Sequence, residues 1–272
     1  MTSARLVVLF AAAMLPALST SAGPVQPRTA KAWDAYVTAT EARMDGELGS
    51  PRGFLGTDFT PGGSDARARV LRGEVVMSEM TTKAGGSTID VPGGLVSHWR
   101  GSIFLPDVTL PTLLHRLQNP PERGPYPQDV LALRVLERKP DAITLFIRMT
   151  RTKIVTVTYD TEHDVTYRHL GAQRASSRSV ATKIVEIDEA DAAAEHARPS
   201  GSDRGFMWRL NAYWRYEQVP GGVIVELESL TLSRPVPFGL TGLVRPIVDR
   251  IARESIARTL DGIRQMYGAP TP

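Results

Sequence analysis

Apolar residues recur along this chain with two periods, and the switch between them divides it. Over 29–45 the helical period holds. Trp33, Tyr36, Val37 and Met44 form one stripe, Glu41, Arg43, Asp45 and Glu47 form a wet side, and Thr29 is placed to cap the first turn. Residues 51–63 mix Gly, Pro and Asp with scattered apolar side chains, which predicts a linker. From Val70 to Arg234 the period falls to two. The runs 70–77, 96–104, 143–150, 153–159, 165–170, 174–187, 205–218 and 222–233 predict strands, most of them joined by connections too short for a crossover helix, so the sheet is antiparallel. One helix interrupts them at 109–117, where Leu110, Leu113, Leu114 and Leu117 fall at helical spacing. The acid- and Ala-rich stretch 186–198 predicts a solvated loop or short exposed helix. The last element, 246–267, carries Ile247, Ile251, Ile256, Leu260, Ile263 and Met266 on one face and charges on the other. A helix of this kind needs an apolar partner, and the sheet is the only one large enough.

The first residues change the reading of location. Arg5, the apolar stretch 6–18 and the small residues Thr20, Ser21 and Ala22 read as an export signal cleaved after Ala22, giving a periplasmic or secreted protein of 250 residues. The expected organisation is a signal at 1–22, an N-terminal helix and linker at 23–63, and the main domain at 64–268. The composition, 42% hydrophobic and 22% charged, is that of a core-forming chain. With no Cys, thiol catalysis, disulfide-linked partners and Cys-based metal sites are excluded. The net charge of +3 falls to +2 once Arg5 is lost, and acids and bases alternate along the chain, so no nucleic-acid partner is expected.

Catalytic signatures are absent from the sequence. The five His residues, at 98, 115, 163, 169 and 196, have no partner at i+3 or i+4 and read as structural or surface groups. No nucleophile elbow, phosphate loop or dinucleotide fingerprint occurs, and neither cofactor nor metal is implied. The densest feature is 206–216, with five aromatic residues in eleven. In a strand it has an apolar face and a face of Met207, Arg209, Asn211, Tyr213 and Arg215. On the next strand Ile224, Glu226, Glu228, Leu230 and Leu232 share a face, and a hairpin through Pro220-Gly221-Gly222 sets Arg215 and Asn211 opposite Glu226 or Glu228. Arg148 and Arg178 are further cations inside strand runs. Two readings follow for Arg148, Arg178, Asn211, Tyr213, Arg215, Glu226 and Glu228. Either they line a cavity between sheet and long helix and orient an apolar ligand, with an Arg gripping a carboxylate or phosphate, or they form a solvated face with cross-strand ion pairs.

Ordered strand patterns and a terminal helix, rather than a catalytic motif, carry a family resemblance. Trp99-Arg100-Gly101-Ser102-Ile103-Phe104, the runs 153–159, 205–216 and 222–229, Leu232-Ser233-Arg234 and the helix from Pro246 together resemble bacterial members of the START-like, or SRPBCC, superfamily. The resemblance implies an α+β helix-grip fold, a curved antiparallel sheet around a long C-terminal helix, here with an extra N-terminal helix. It also implies a lipid-like or polyketide-like partner held between sheet and helix. A non-enzymatic carrier is the leading expectation, and transient contact with a membrane surface fits such a carrier. The alternatives are a polyketide cyclase or aromatase using Tyr213, Glu226 or Glu228 as acid or base, and an interaction module with a filled core.

Overall fold

The computed structural model describes residues 24–124, 126–127, 129–152, 156–188, 196–197, 203, 207–234 and 241–268. The expected export signal, Lys153–Val155, Phe206 and most of 186–198 lie outside them. Helix α1 (Pro27–Leu48) opens with Pro at its first turn, where the missing N–H costs no intrahelical bond. Gln26, not Thr29, occupies the cap position. Thr29 is buried and donates its hydroxyl to the Pro92 carbonyl. A 3-10 turn (Gly56–Phe59) and α2 (Gly63–Leu71) follow, so 51–63 is not a plain linker and 70–77 is not a strand at its start. The strands are β1 (Val76–Glu79), β2 (Lys83–Ala84), β3 (Ser87–Thr88), β4 (Leu95–Pro106), β5 (Val130–Lys139), β6 (Ala142–Thr152), β7 (Thr156–His169), β8 (Arg174–Asp188), β9 (His196–Ala197), β10 (Arg209–Val219) and β11 (Gly222–Ser233). Helix α3 (Leu110–Gln118) follows β4, and α4 (Thr241–Tyr267) closes the chain.

All pairings in the main sheet are antiparallel, in the order β1-β4-β11-β10-β8-β7-β6-β5 with β9 on β8. Two differences from the sequence reading have local causes. β5 was not foreseen, because its bulges break the alternation of Val130–Lys139. The runs 153–159 and 165–170 are one strand, β7. Its acids, Asp160, Glu162 and Asp164, resemble a turn but occupy the outward positions of a continuous period-two pattern.

Strand register assigns each side chain to one of two faces. Val223, Val225 and Leu227 of β11, Ile103 and Leu105 of β4, and Tyr216 of β10 point to the face carrying α4, where Ile256, Leu260 and Tyr267 complete the core. Each such side chain contributes roughly 1.5–3 kcal/mol on burial. Gly101 lets the helix approach, because a Cβ there would stand 2.7 Å from Leu260 and 2.9 Å from Ile256. This is the helix-grip arrangement. The opposite face carries α1. Trp33, Tyr36 and Met44 pack there with Tyr213, Leu230 and Leu232. Both faces are therefore covered at this end of the sheet.

Candidate functional site

All seven residues singled out from the sequence stand on the face away from α4. They do not line the space between sheet and long helix. Arg215 and Glu226 are register partners, as the hairpin predicts, whereas Asn211 stands opposite Leu230 and not opposite a Glu, and the Arg215 guanidinium does not turn to the Glu226 carboxylate. It donates to the Phe54 carbonyl at 2.8 Å and pairs with Glu47 of α1 at 2.6 Å. Glu226 accepts instead from the backbone N–H groups of Gly56 and Thr57 and from the hydroxyls of Thr57 and Ser102. Glu228 is clamped by His98 at 2.7 Å, by two donors of Arg100 at 2.9 and 3.1 Å, and by Arg43 of α1. Asn211 donates to the Tyr213 hydroxyl, which donates to Glu41. Arg178 reaches the same Glu41. Arg148 makes a two-pronged pair with Asp160 on the outer surface of β6 and β7.

These contacts join α1 to the sheet. The side of α1 read as wet, Glu41, Arg43 and Glu47, is half-buried and faces opposite charges on β8, β10 and β11, while Asp45 is exposed. His98 links two layers, its Nε2 toward Glu228 and its Nδ1 2.9 Å from the Tyr36 hydroxyl. Because a carboxylate only accepts, Nε2 carries the proton. Burial alone would push the Glu228 carboxyl up. The His98 hydrogen bond and the Arg100 and Arg43 guanidiniums outweigh it and hold the carboxyl far below the usual range. Gly56 is required for this packing, since a Cβ there would lie 2.6 Å from the Arg100 guanidinium.

The α4 side of the same strands carries a different chemistry. On β7 the residues of that face run Val157, Tyr159, Thr161, His163, Val165 and Tyr167, all buried. Beside them β8 presents Ser177 and Ser179 and, further along, Glu186, while β10 presents Tyr216. His163 sets Nε2 3.0 Å from the Thr161 hydroxyl and Nδ1 3.3 Å from that of Ser179. Ser177 lies 3.0 Å from the Tyr216 hydroxyl. Loss of hydration pulls the His163 imidazole down to about 4, so it is neutral at pH 7. Burial raises Tyr167, Tyr216 and Tyr267, the last to about 12, and leaves three un-ionised phenols close to one another. Leu145, Ile147 and Met149 of β6 and Trp214 of β10 flank this line on the same face. The sequence reading missed these groups because it split β7. The signal was present as Asp160, Glu162 and Asp164 alternating with Tyr159, Thr161, His163 and Val165 in one period-two run. At the rim, a hollow of about 340 Å3 is lined by Gln118, Asn119, Arg138, Lys139, Pro140 and Ile143, the last a member of the α4-side core.

No family model and no curated protein matches the sequence. The solved structures similar to it include START-type lipid transfer proteins and polyketide aromatase/cyclases. A STAR-related lipid transfer protein from Xanthomonas axonopodis aligns at 15% identity over 69% of this chain and 97% of its own, with a TM-score of 0.46. The lipid transfer and protein localization domain of human StarD13 aligns at 12% identity over 77% and 96%, TM-score 0.41. The Zhui aromatase/cyclase from Streptomyces sp. R1128 aligns at 8% identity over 63% and 93%, TM-score 0.41. These are likenesses of chain course, and no residue role passes from them to this chain.

Proposed function

We propose that this protein is an exported carrier of an apolar, lipid-like small molecule, held between α4 and the sheet face that bears Thr161, His163, Ser177, Ser179 and Tyr216. The observation that carries the proposal is that line of buried and half-buried hydroxyl and imidazole groups inside an otherwise apolar face. These groups bond to one another and, through the Thr161 hydroxyl, to the Ile147 carbonyl, which offsets the cost of burying them, and a few placed polar groups of this kind among aliphatic walls are what orients an apolar ligand. The hollow at the end of α3 supports entry from that rim. Export rests on the charge, apolar stretch and small residues of 1–22. The cyclase reading has less support, since Glu226, Glu228 and Tyr213 are all bonded to protein groups on the other face.

Native mass spectrometry of the chain purified from a periplasmic extract, followed by solvent extraction, tests the proposal. A stoichiometric apolar adduct, or uptake of a neutral fluorescent probe such as Nile red by the stripped protein, is the expected result. A bare protein that takes up no probe overturns it in favour of a filled-core interaction module.

A further inference from the structure

Resting on that reading, we infer that the ligand is an uncharged apolar molecule bearing hydroxyl, carbonyl or ester oxygens, and not a fatty acid anion or a phosphorylated lipid. The placement of cations argues for this. Among the described side chains, no Lys or Arg projects from β4, β7, β8, β10 or β11 onto the α4-side face, and Arg138 of β5, which shares that face with its register partner Ile143, lies exposed at the rim, where it donates to the Gln118 carbonyl and to Asn119. Arg148, Arg168, Arg174, Arg178, Lys183 and Arg215 all stand on the other face, each already paired with a carboxylate. On the helices over the ligand face, Arg258 is held by Asp129 and Arg264 by Asp261. Arg116 is spent on the Tyr267 carbonyl. Arg250 is largely exposed.

What the face does offer is neutral. Thr161, Ser177, Ser179 and Tyr216 have hydroxyls that both donate and accept, and His163 is buried and uncharged at pH 7. A buried carboxylate or phosphate without a cation carries a desolvation cost that hydroxyl donors only partly offset, whereas an alcohol or ester exchanges hydrogen bonds with this line at little cost.

Competition on the full exported chain, stripped of bound molecules and loaded with Nile red at pH 8, tests the inference. The competitors are dodecanol, methyl dodecanoate and dodecanoate, which share one chain length and differ in head. Dodecanol and the ester are expected to displace the probe at concentrations at least about tenfold below dodecanoate. Equal or tighter competition by dodecanoate overturns the inference and leaves the carrier reading standing. Failure of the chain to bind the probe or any of the three removes both. Tyr216→Phe, which keeps the ring, is expected to weaken dodecanol several-fold with an unchanged melting temperature. If Tyr216→Phe lowers the melting temperature and leaves dodecanol affinity as it was, the hydroxyl line is structural and the inference falls.

Discussion

Two buried ionisable residues both have folded pKa values below their unfolded ones, Glu228 held charged and His163 held neutral, and each predicts its own pH window. Glu228 has a folded pKa held below its unfolded value, so its contribution to stability is complete above about pH 4.5 and is lost as pH falls below that. Glu228→Gln leaves Arg100 and Arg43 facing a neutral group in a dry site. It is expected to cost about 3–5 kcal/mol in urea unfolding at pH 7 and to flatten the acid limb below pH 4.5. His163 has a folded value near 4 against an unfolded value of about 6.5. The unfolded chain therefore takes up a proton that the folded chain refuses. Stability is complete above about pH 6.5 and falls by up to about 1.4 kcal/mol per pH unit on the way down to 4. His163→Gln is expected to remove that slope between pH 6.5 and 4.5 while leaving the Glu228 limb in place, and denaturant titrations at closely spaced pH values separate the two.

At the scale of elements, the sheet sorts its two covering helices by chemistry. α4 presents Ile256, Leu260 and Ile263 and takes the aliphatic face. α1 mixes Trp33, Tyr36 and Met44 with Glu41, Arg43 and Glu47 and takes the face bearing Arg178, Arg215 and Glu228. A glycine stands against each layer, Gly101 under α4 and Gly56 in the 3-10 turn beside Arg100. Gly101→Val places side-chain atoms where Leu260 and Ile256 now sit, and is expected to cost about 1–3 kcal/mol and to speed amide exchange along α4 more than along α1. Gly56→Ala should show the reverse pattern. It collides with the Arg100 guanidinium, so protection should fall in α1 and the 3-10 turn while α4 keeps its own. The hairpin of β10 and β11 turns on Pro220 and on Gly221 at φ +82°, the residue pair a type II turn favours, which is why the pairing of Arg215 with Glu226 was readable in advance.

For the whole molecule, the buried ion pairs make the first helix part of the fold rather than an appendage. A chain beginning after Gly63 would bare Arg215, Glu226 and Glu228 without Glu47, Arg43 and the Gly56–Thr57 amides, and is expected to lose cooperative thermal unfolding by circular dichroism. Much of this architecture was legible in the residues. Period-two runs gave the antiparallel strands, the 3.6 period gave α3 and α4, and the alternation within 209–219 and 222–233 assigned side chains to common faces correctly. The sequence could not say which face meets which helix. Alternation fixes only that neighbouring side chains point opposite ways, and a strand with Arg and Glu on one side fits a wet surface, a ligand cavity or a buried ionic layer equally well. The tertiary structure decided among these by bringing Glu41, Arg43 and Glu47, more than a hundred residues away in the chain, against Arg178, Arg215 and Glu228. It also joined the halves of β7 across an acidic stretch that locally resembles a turn, and so set Thr161 and His163 on the face where the ligand is proposed to lie. Local periodicity determines the elements and the partition of their faces. Charge matching and the packing of distant segments determine which partition becomes core, latch or site.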